Sequence, residues 1–459
     1  MEFDHQRKQK AAMLILSIPY LNPKFVIDQN ANNKFYWKEY RLDYQQNIDD
    51  FPFEVLDSNS IVTIRDSSEG GINEIPKKEK IYVYHKVISK YNCLVDYEML
   101  LYKPESIPPN NLILSYHDFN QETDFNKLEK IIQIMNATEA KFVKIAVNLN
   151  SYSELLQIHE LIKTSNKPVI FAGMGKLGKI SRLLYKYLSA AGTFIGLDAM
   201  PTATGQISAK EVEFYSFYKI SNLSKLGGII GGRQIGNSLG LRFYNDFFKQ
   251  TGRDAFYFPF VVDEIVDFKN WFKNCTFKDK LYGFSVTMPF KRHISPSNQP
   301  INLFLPKSES YINTDLIAFK KAIEKLEIDF ETNILIFGNG GSAETASEVL
   351  KNYKNVRICA RKEKSNFNAE REFISIEKAQ KMKFDLLLNC TPIGMNEEDF
   401  IKETGITNFN KVIDLPYQTE STKLIQYCLN NSIPNIDGKQ FWQWQAEKQL
   451  EEFEKEIKI

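Results

Sequence analysis

From residue 13 onward, short apolar and β-branched runs alternate with longer, mostly polar stretches of helical character. Eight such runs precede residue 200: Met13–Ile18, Tyr36–Leu42, Ile61–Ile64, Cys93–Tyr97, Leu112–Ser115, Phe142–Val147, Pro168–Ala172 and Thr193–Leu197. Strands separated by crossovers predict a parallel sheet, and eight of them over about 200–250 residues predict a closed (β/α)8 TIM barrel. The stretch from Glu98 to Asn111, with Pro104, Pro108 and Pro109, is short for a full crossover helix.

Barrel active sites are assembled at the C-terminal ends of the strands, and here those ends are polar. Glu39 and Arg41 lie on the second strand, Arg65 follows the third, Glu98 the fourth and His117 the fifth. Lys144 sits within the sixth, Arg182 follows the seventh and Gln206 the eighth. One such residue fits a structural salt bridge; polar residues at seven of the eight strands point to a site. Lys144 lies inside Lys141-Phe142-Val143-Lys144-Ile145-Ala146-Val147. An ammonium on a buried strand is costly unless it is paired or loses its proton. Desolvation lowers its pKa and leaves an amine able to form a Schiff base with a ketone. An edge-strand lysine reaching out to water fits the same seven residues.

Residues 207–226 read as a last barrel helix and a connector without a Gly/Ser/Pro-rich tether. Further on, Ile334–Phe337 is an apolar strand running into Gly338-Asn339-Gly340-Gly341-Ser342-Ala343-Glu344, and a helical pattern continues to Leu350. Glycines at a strand-to-helix turn let a pyrophosphate approach the N–H groups of the helix start. The next strand, Val356–Ala360, ends in Arg361-Lys362, where an NAD site carries an acid. Two cations there indicate a 2′-phosphate, hence NADP; Arg361 also fits a plain surface charge. Asp385–Cys390 leads into Thr391-Pro392-Ile393-Gly394-Met395, a strand-end loop placed to touch the nicotinamide side.

Composition narrows the class. At 459 residues the chain predicts two to three domains, and 43% hydrophobic with 25% charged residues is the balance of a water-soluble globular protein. A net charge of +1 gives no electrostatic case for nucleic acid or an anionic membrane as partner. The five cysteines (Cys93, Cys275, Cys359, Cys390, Cys428) form no CxxC pair, which argues for a reducing compartment and against a zinc site. With no signal-peptide pattern at the N-terminus and no membrane-length apolar run, the expected location is cytoplasmic.

Ser115-Tyr116-His117-Asp118-Phe119, Val143-Lys144-Ile145-Ala146, Met174-Gly175 with Ser181-Arg182, and Gly205-Gln206 resemble type I 3-dehydroquinate dehydratase. Glu39-Tyr40-Arg41-Leu42-Asp43, Thr63-Ile64-Arg65 with Glu69-Gly70-Gly71, and Val95-Asp96-Tyr97-Glu98 extend the likeness over nearly all of residues 13–210. The resemblance implies that Lys144 condenses with the ketone of 3-dehydroquinate, that His117 moves the C2 proton, and that Glu98 orients His117. It implies that Arg182 clamps the substrate carboxylate, with Arg65 and Gln206 on its polar groups and Glu39 and Arg41 in the same shell. The family's Ser-Ala-Pro-Gly-Gln loop is Thr202-Ala203-Thr204-Gly205-Gln206 here; Thr202 keeps the hydroxyl, and the missing proline is expected to loosen the loop.

The second half resembles shikimate dehydrogenase over residues 226–459, through the Gly-rich turn, Phe284-Ser285-Val286-Thr287-Met288-Pro289-Phe290-Lys291, Asn313-Thr314-Asp315, Val412-Ile413-Asp414-Leu415-Pro416-Tyr417, and Asp437-Gly438 with Gln445. This implies a reactive Lys291–Asp315 pair and NADP(H) as cofactor. Ser238, Thr287, Asn302, Tyr417 and Gln445 would contact substrate. Gly338, Asn339, Gly340, Gly341, Ser342, Ala343, Arg361, Lys362, Thr391 and Gly438 would hold the cofactor. No metal is required. The family's His-Ser-x-Ser-Pro run is Asn237-Ser238-Leu239-Gly240-Leu241 here, so one carboxylate-binding hydroxyl is missing, with Ser238 and Asn245 as candidate replacements.

The expected architecture is therefore α/β: a barrel over 1–218, a substrate-binding domain over 226–318 completed by a helix at 435–459, and a Rossmann NADP domain over 319–434. The expected function is dehydration of 3-dehydroquinate followed by NADPH-dependent reduction of 3-dehydroshikimate, with small-molecule partners and a monomer or homodimer. A second half turned toward quinate, or a silent sensor of pathway intermediates, are the alternatives. Keeping Lys144, His117, Lys291 and Asp315 together speaks against the sensor, which needs the pocket but not the reactive groups.

Overall fold

The computed structural model describes residues 13–33, 35, 37–103, 107–361, 371–396, 398–417 and 420–458. Two compact units make up the chain: residues up to 225 together with 245–280, and residues 226–244 together with 281 onward.

In the first unit, eight strands form one parallel sheet in sequence order: β1 (Met13–Pro19), β2 (Trp37–Arg41), β3 (Ser60–Thr63), β4 (Leu94–Glu98), β5 (Leu112–Asp118), β6 (Phe142–Asn148), β7 (Val169–Met174) and β8 (Gly192–Gly196). Pairing of β1 with β8 closes the barrel. All eight strands expected from the sequence are present, with ends shifted by at most three residues. The β4-to-β5 connection holds a 3-10 turn, Pro109–Asn111, among its described residues, as its proline content foretells. The Asp124 and Ser151 side chains start the helices Phe125–Asn136 and Tyr152–Thr164 by accepting from the amides of Lys127 and Glu154.

Residues 245–280 fall in the same compact unit as the barrel and pack on it. The reason is aromatic. Tyr152, at the head of its helix, meets Phe268 and Trp271 of the helix Ile265–Asn274 at 5.2 and 5.3 Å between ring centres. Phe277 lies against Tyr187, and Phe258 against Tyr215, each at 5.2 Å.

In the second unit, the strands Lys225–Gly231, Leu281–Val286, Leu303–Leu305 and Ser310–Ile312 lie side by side. A six-stranded parallel sheet follows. Numbered within itself from Ile334–Phe337, its strands run in the order 3-2-1-4-5-6, the doubly wound order of dinucleotide-binding folds. The long helix Gly438–Lys458 buries Phe453 edge-on against Tyr244 and Tyr282, at 5.3 and 5.2 Å. Truncating a buried phenylalanine leaves a cavity costing about 3–5 kcal/mol. Phe453→Ala is expected to lower the denaturant midpoint of this unit, followed by the fluorescence of Trp442 and Trp444; an unchanged midpoint would show that the helix is not anchored there.

Candidate active sites

Strand register builds the first site. Alternate residues of each strand face the barrel interior, and at one end these are apolar: Ile15, Ile61, Leu94 and Ile113 belong to one buried cluster. Two residues further along the same faces stand Ser17, Thr63, Asp96 and Ser115, all fully buried. The pairing sets Ser17 beside Glu39, Thr63 beside Asp96, and Ser115 beside Lys144.

The buried charges are matched in a row. Lys144 Nζ donates to Asp96 Oδ2 at 2.8 Å, lies 3.8 Å from Glu39 Oε1 and sits 4.1 Å above the Phe194 ring. Arg65 bridges Asp96 at 2.7 Å and Glu98 at 3.2 Å while donating to Ser115 Oγ at 2.9 Å. Lys80 binds the other oxygen of Glu98. Burial pushes the Asp96 carboxyl up, but Arg65 and Lys144 outweigh it and hold it well below the usual range. Glu39 accepts from Ser17 Oγ at 2.5 Å and Thr63 Oγ1 at 2.8 Å.

His117 Nδ1 is 2.8 Å from Glu69 Oε2, and its ring stacks on Phe119. Burial first, then Arg65 and Lys144, lower His117 well below its ordinary pKa. Burial raises Glu69 to about 7, against the pull of Arg65. The two shifts agree: the imidazole stays neutral and the carboxyl takes up the proton first. This corrects the expectation for Glu98. Its oxygens accept from Arg65, Lys80 and the Asp66 amide, so Glu98 fixes the loop that carries Glu69, and Glu69 orients His117. Both acids lay in recognisable motifs, but the sequence did not rank them by reach.

The remaining predicted residues surround this core. The Arg41 fork binds both oxygens of Asp43 at 2.8 Å, and Asp43 accepts from the Arg65 amide at 3.2 Å, so Arg41 acts on the same loop. Arg182 is fully buried, donating to the carbonyls of Gly173 at 3.1 Å and Phe194 at 2.8 Å. Burial lowers it to about 10. A cation held by carbonyl groups gains from an incoming carboxylate. Gln206 Oε1 accepts from the amides of Thr202 and Ala203 at 2.8 and 3.2 Å, and Thr202 Oγ1 donates to Ser17 Oγ at 2.9 Å. These bonds tie the proline-free loop to Glu39 through Ser17.

In the second unit, Lys291 Nζ donates to Asp315 Oδ2 at 2.6 Å. Asn302 Nδ2 donates to Asp315 Oδ1 at 2.8 Å and to Gln445 Oε1 at 3.1 Å, while its own oxygen accepts from the Thr314 amide at 2.7 Å. Asn302 and Gln445 thus hold Asp315 in place. Gln449, absent from the sequence-based set, donates to the Asn302 carbonyl and to Gln445 Oε1, each at 2.9 Å. Thr287 follows the strand Leu281–Val286, its amide bonded to the Ile230 carbonyl at 3.0 Å, and Tyr417 is half-buried beyond the strand Phe409–Asp414. Ser238 Oγ accepts from the Gly240 amide at 3.3 Å, and a Cβ at Gly240 would stand 3.1 Å from the Tyr244 ring. The Asn245 side chain donates to the Tyr257 carbonyl at 2.8 Å and accepts from the Tyr257 N–H at 3.0 Å.

The Gly-rich turn fits a dinucleotide phosphate. Gly338 has φ +125°, a conformation that L side chains rarely adopt. Gly340 caps the helix Gly341–Val349, and nothing lies within 4 Å of where its Cβ would be. Asn339, Ser342 and Ala343 complete the turn and the start of the helix. Arg361 is exposed just past the strand Val356–Cys359, the neighbour of the strand before the turn; Lys362 lies outside the described residues. Thr391 donates to Asn389 Oδ1 at 2.7 Å, and Asn389 donates to Asp414 at 2.7 Å. Gly438 abuts the carbonyl of Pro416, leaving no room for a side chain.

A family model for type I 3-dehydroquinase matches residues 33–222, and one for the shikimate dehydrogenase substrate binding domain matches residues 230–301. The 3-dehydroquinate dehydratase of Thermococcus onnurineus is 32% identical over 181 residues, 38% of this chain and 83% of that protein. A shikimate dehydrogenase (NADP(+)) of Clostridium botulinum is 30% identical over 244 residues, 48% of this chain and 92% of that protein. The chain belongs to both families, one in each half. The shikimate biosynthesis protein AroDE of Chlamydia pneumoniae is 28% identical over 338 residues, 68% of each chain, and a bifunctional 3-dehydroquinate dehydratase/shikimate dehydrogenase of Arabidopsis thaliana is 24% identical over 383 residues, 74% of this chain and 63% of that protein.

The Glu69–His117 pair sets a pH dependence. As pH falls through about 7, Glu69 is protonated before His117 and no longer accepts from the imidazole. For the dehydratase half, kcat/KM is expected to fall along an acid limb near that pH, and in Glu69→Gln the limb should move to lower pH at a reduced plateau. A limb left where it was in the variant would assign it to another group.

Proposed function

We propose that the chain catalyses two consecutive steps, dehydration of 3-dehydroquinate in the barrel and NADPH-dependent reduction of 3-dehydroshikimate in the second half. The observation that carries the first is a buried lysine, Lys144, lying 2.8 Å from the Asp96 carboxylate and 3.8 Å from that of Glu39. As a neutral amine, Lys144 attacks the ketone, and loss of water gives a cationic imine compensated by Asp96 and Glu39. The imine draws electrons from the adjacent carbon, and His117, held by Glu69, removes its proton. The same His117 returns the proton to the departing hydroxyl, and hydrolysis of the imine frees Lys144. Arg182 supports the reading as a buried cation suited to the substrate carboxylate.

In the second half, Lys291 and Asp315 hold a proton at the ketone oxygen of the substrate. Bound at the Gly-rich turn, NADPH supplies the hydride. Asn302, Gln445 and Gln449 keep Asp315 aimed at Lys291, and Arg361, exposed just past the second strand of the sheet, is the cation we assign to the 2′-phosphate that distinguishes NADP. We read the protein as cytoplasmic, from five unpaired cysteines and from described helices none of which is long and apolar enough to cross a membrane.

The test is one coupled assay with 3-dehydroquinate and NADPH, following absorbance of the reduced cofactor. Oxidation should vanish in Lys144→Ala and in Lys291→Ala and return when the two variants are mixed. Oxidation that survives Lys144→Ala would remove the Schiff-base reading. Failure of the mixture, with each remaining half active on its own substrate, would mean that the intermediate does not pass between molecules.

A further inference from the structure

The loop that follows the Lys144 strand ties three active-site loops together. Asn148 Nδ2 donates to the Asn120 carbonyl at 2.7 Å, and Asn150 Nδ2 to the Gln121 carbonyl at 2.6 Å; both acceptors lie on the loop after His117. On the other side, the Leu149 amide donates to the Met174 carbonyl and the Leu177 amide to the Leu149 carbonyl, each at 3.0 Å, on the loop that leads to Arg182. The positions of His117, Lys144 and Arg182 thus depend on one short stretch, residues 148–153.

That stretch is anchored from the other half of the chain. Asp267 Oδ2 accepts from the Tyr152 amide at 2.6 Å, and Asp267 Oδ1 from the Ser153 amide at 2.9 Å and Ser153 Oγ at 2.6 Å. With Ser151 accepting from the Glu154 amide at 3.2 Å, the open N–H groups of the first helical turn are filled. Tyr152 Oη donates to the Val261 carbonyl at 3.1 Å, and Lys176, on the loop leading to Arg182, pairs with Asp263 at 2.8 Å. The exposed Lys176–Asp263 pair contributes little. Asp267 is different: one carboxylate holds three donors, on the helix whose Phe268 and Trp271 rings pack against Tyr152. Yet residues 230–301 match the shikimate dehydrogenase substrate binding domain.

We propose that Asp267 is a positioning residue of the dehydratase site, supplied by the dehydrogenase half. It touches no reacting atom and acts through residues 148–153, where a displacement of about 1 Å is enough to slow a reaction severely. The inference rests on the dehydratase reading given above.

The experiment compares full-length wild type, Asp267→Ala, Asp267→Asn and the exposed control Asn270→Ala in two separate assays: dehydration of 3-dehydroquinate, and NADPH oxidation with supplied 3-dehydroshikimate. Borohydride trapping of product on Lys144, read by mass, gives a third readout. Asp267→Ala should lower dehydratase kcat about tenfold or more and slow trapping, while reductase kcat and KM stay within about twofold. Asp267→Asn, with one acceptor oxygen in place of two, should fall between. The control should match wild type throughout. Loss of both activities in Asp267→Ala would mark a folding role and overturn the proposal, as would an unchanged dehydratase. A wild type without dehydratase activity would instead overturn the functional reading itself.

Discussion

Five buried charges in a row, Lys80, Glu98, Arg65, Asp96 and Lys144, are the constraint on which the barrel site depends. Each would be costly alone in a strand interior, and each is offset by the next. The row begins on a helix and ends on a strand, so it also fixes the loop after β3 against the barrel mouth. Glu69 rides on that loop, and His117 is aimed by Glu69. Removing any inner member would take one partner from each of its neighbours, so positioning and electrostatics cannot be separated here.

The second site solves a related problem with amides instead of charges. A single ion pair, Lys291–Asp315, is surrounded by Asn302, Gln445 and Gln449, whose side chains bond to one another and to Asp315. A neutral donor, Asn302, supports the carboxylate without a second cation. The Gly-rich turn lies at the reversal point of the doubly wound sheet, where such folds bind ligands.

Much of this was legible in the chain. Strand periodicity marks all eight barrel strands, residue type with position marks Lys144 and His117, and the family resemblance marks Lys291 and Asp315. What escaped was partner choice. Glu69 and Glu98 are both acids near strand ends, and only the path of the loop after β3 decides which reaches His117. Asn302 and Gln445 bond to each other because a strand start and a distant C-terminal helix meet, a pairing 143 residues apart in sequence. Asp267 carried no signal at all, since its partners belong to a different family's fold.

The Asp267 anchor also bears on how such a chain can change over generations. A carboxylate encoded in the reductase segment anchors a loop of the lyase, so a change in one segment is felt in the other. Replacing either with the corresponding stand-alone enzyme would sever the anchor, even though both families are known as separate proteins. The fusion is then more than a shared message: its halves have become mutually adapted parts.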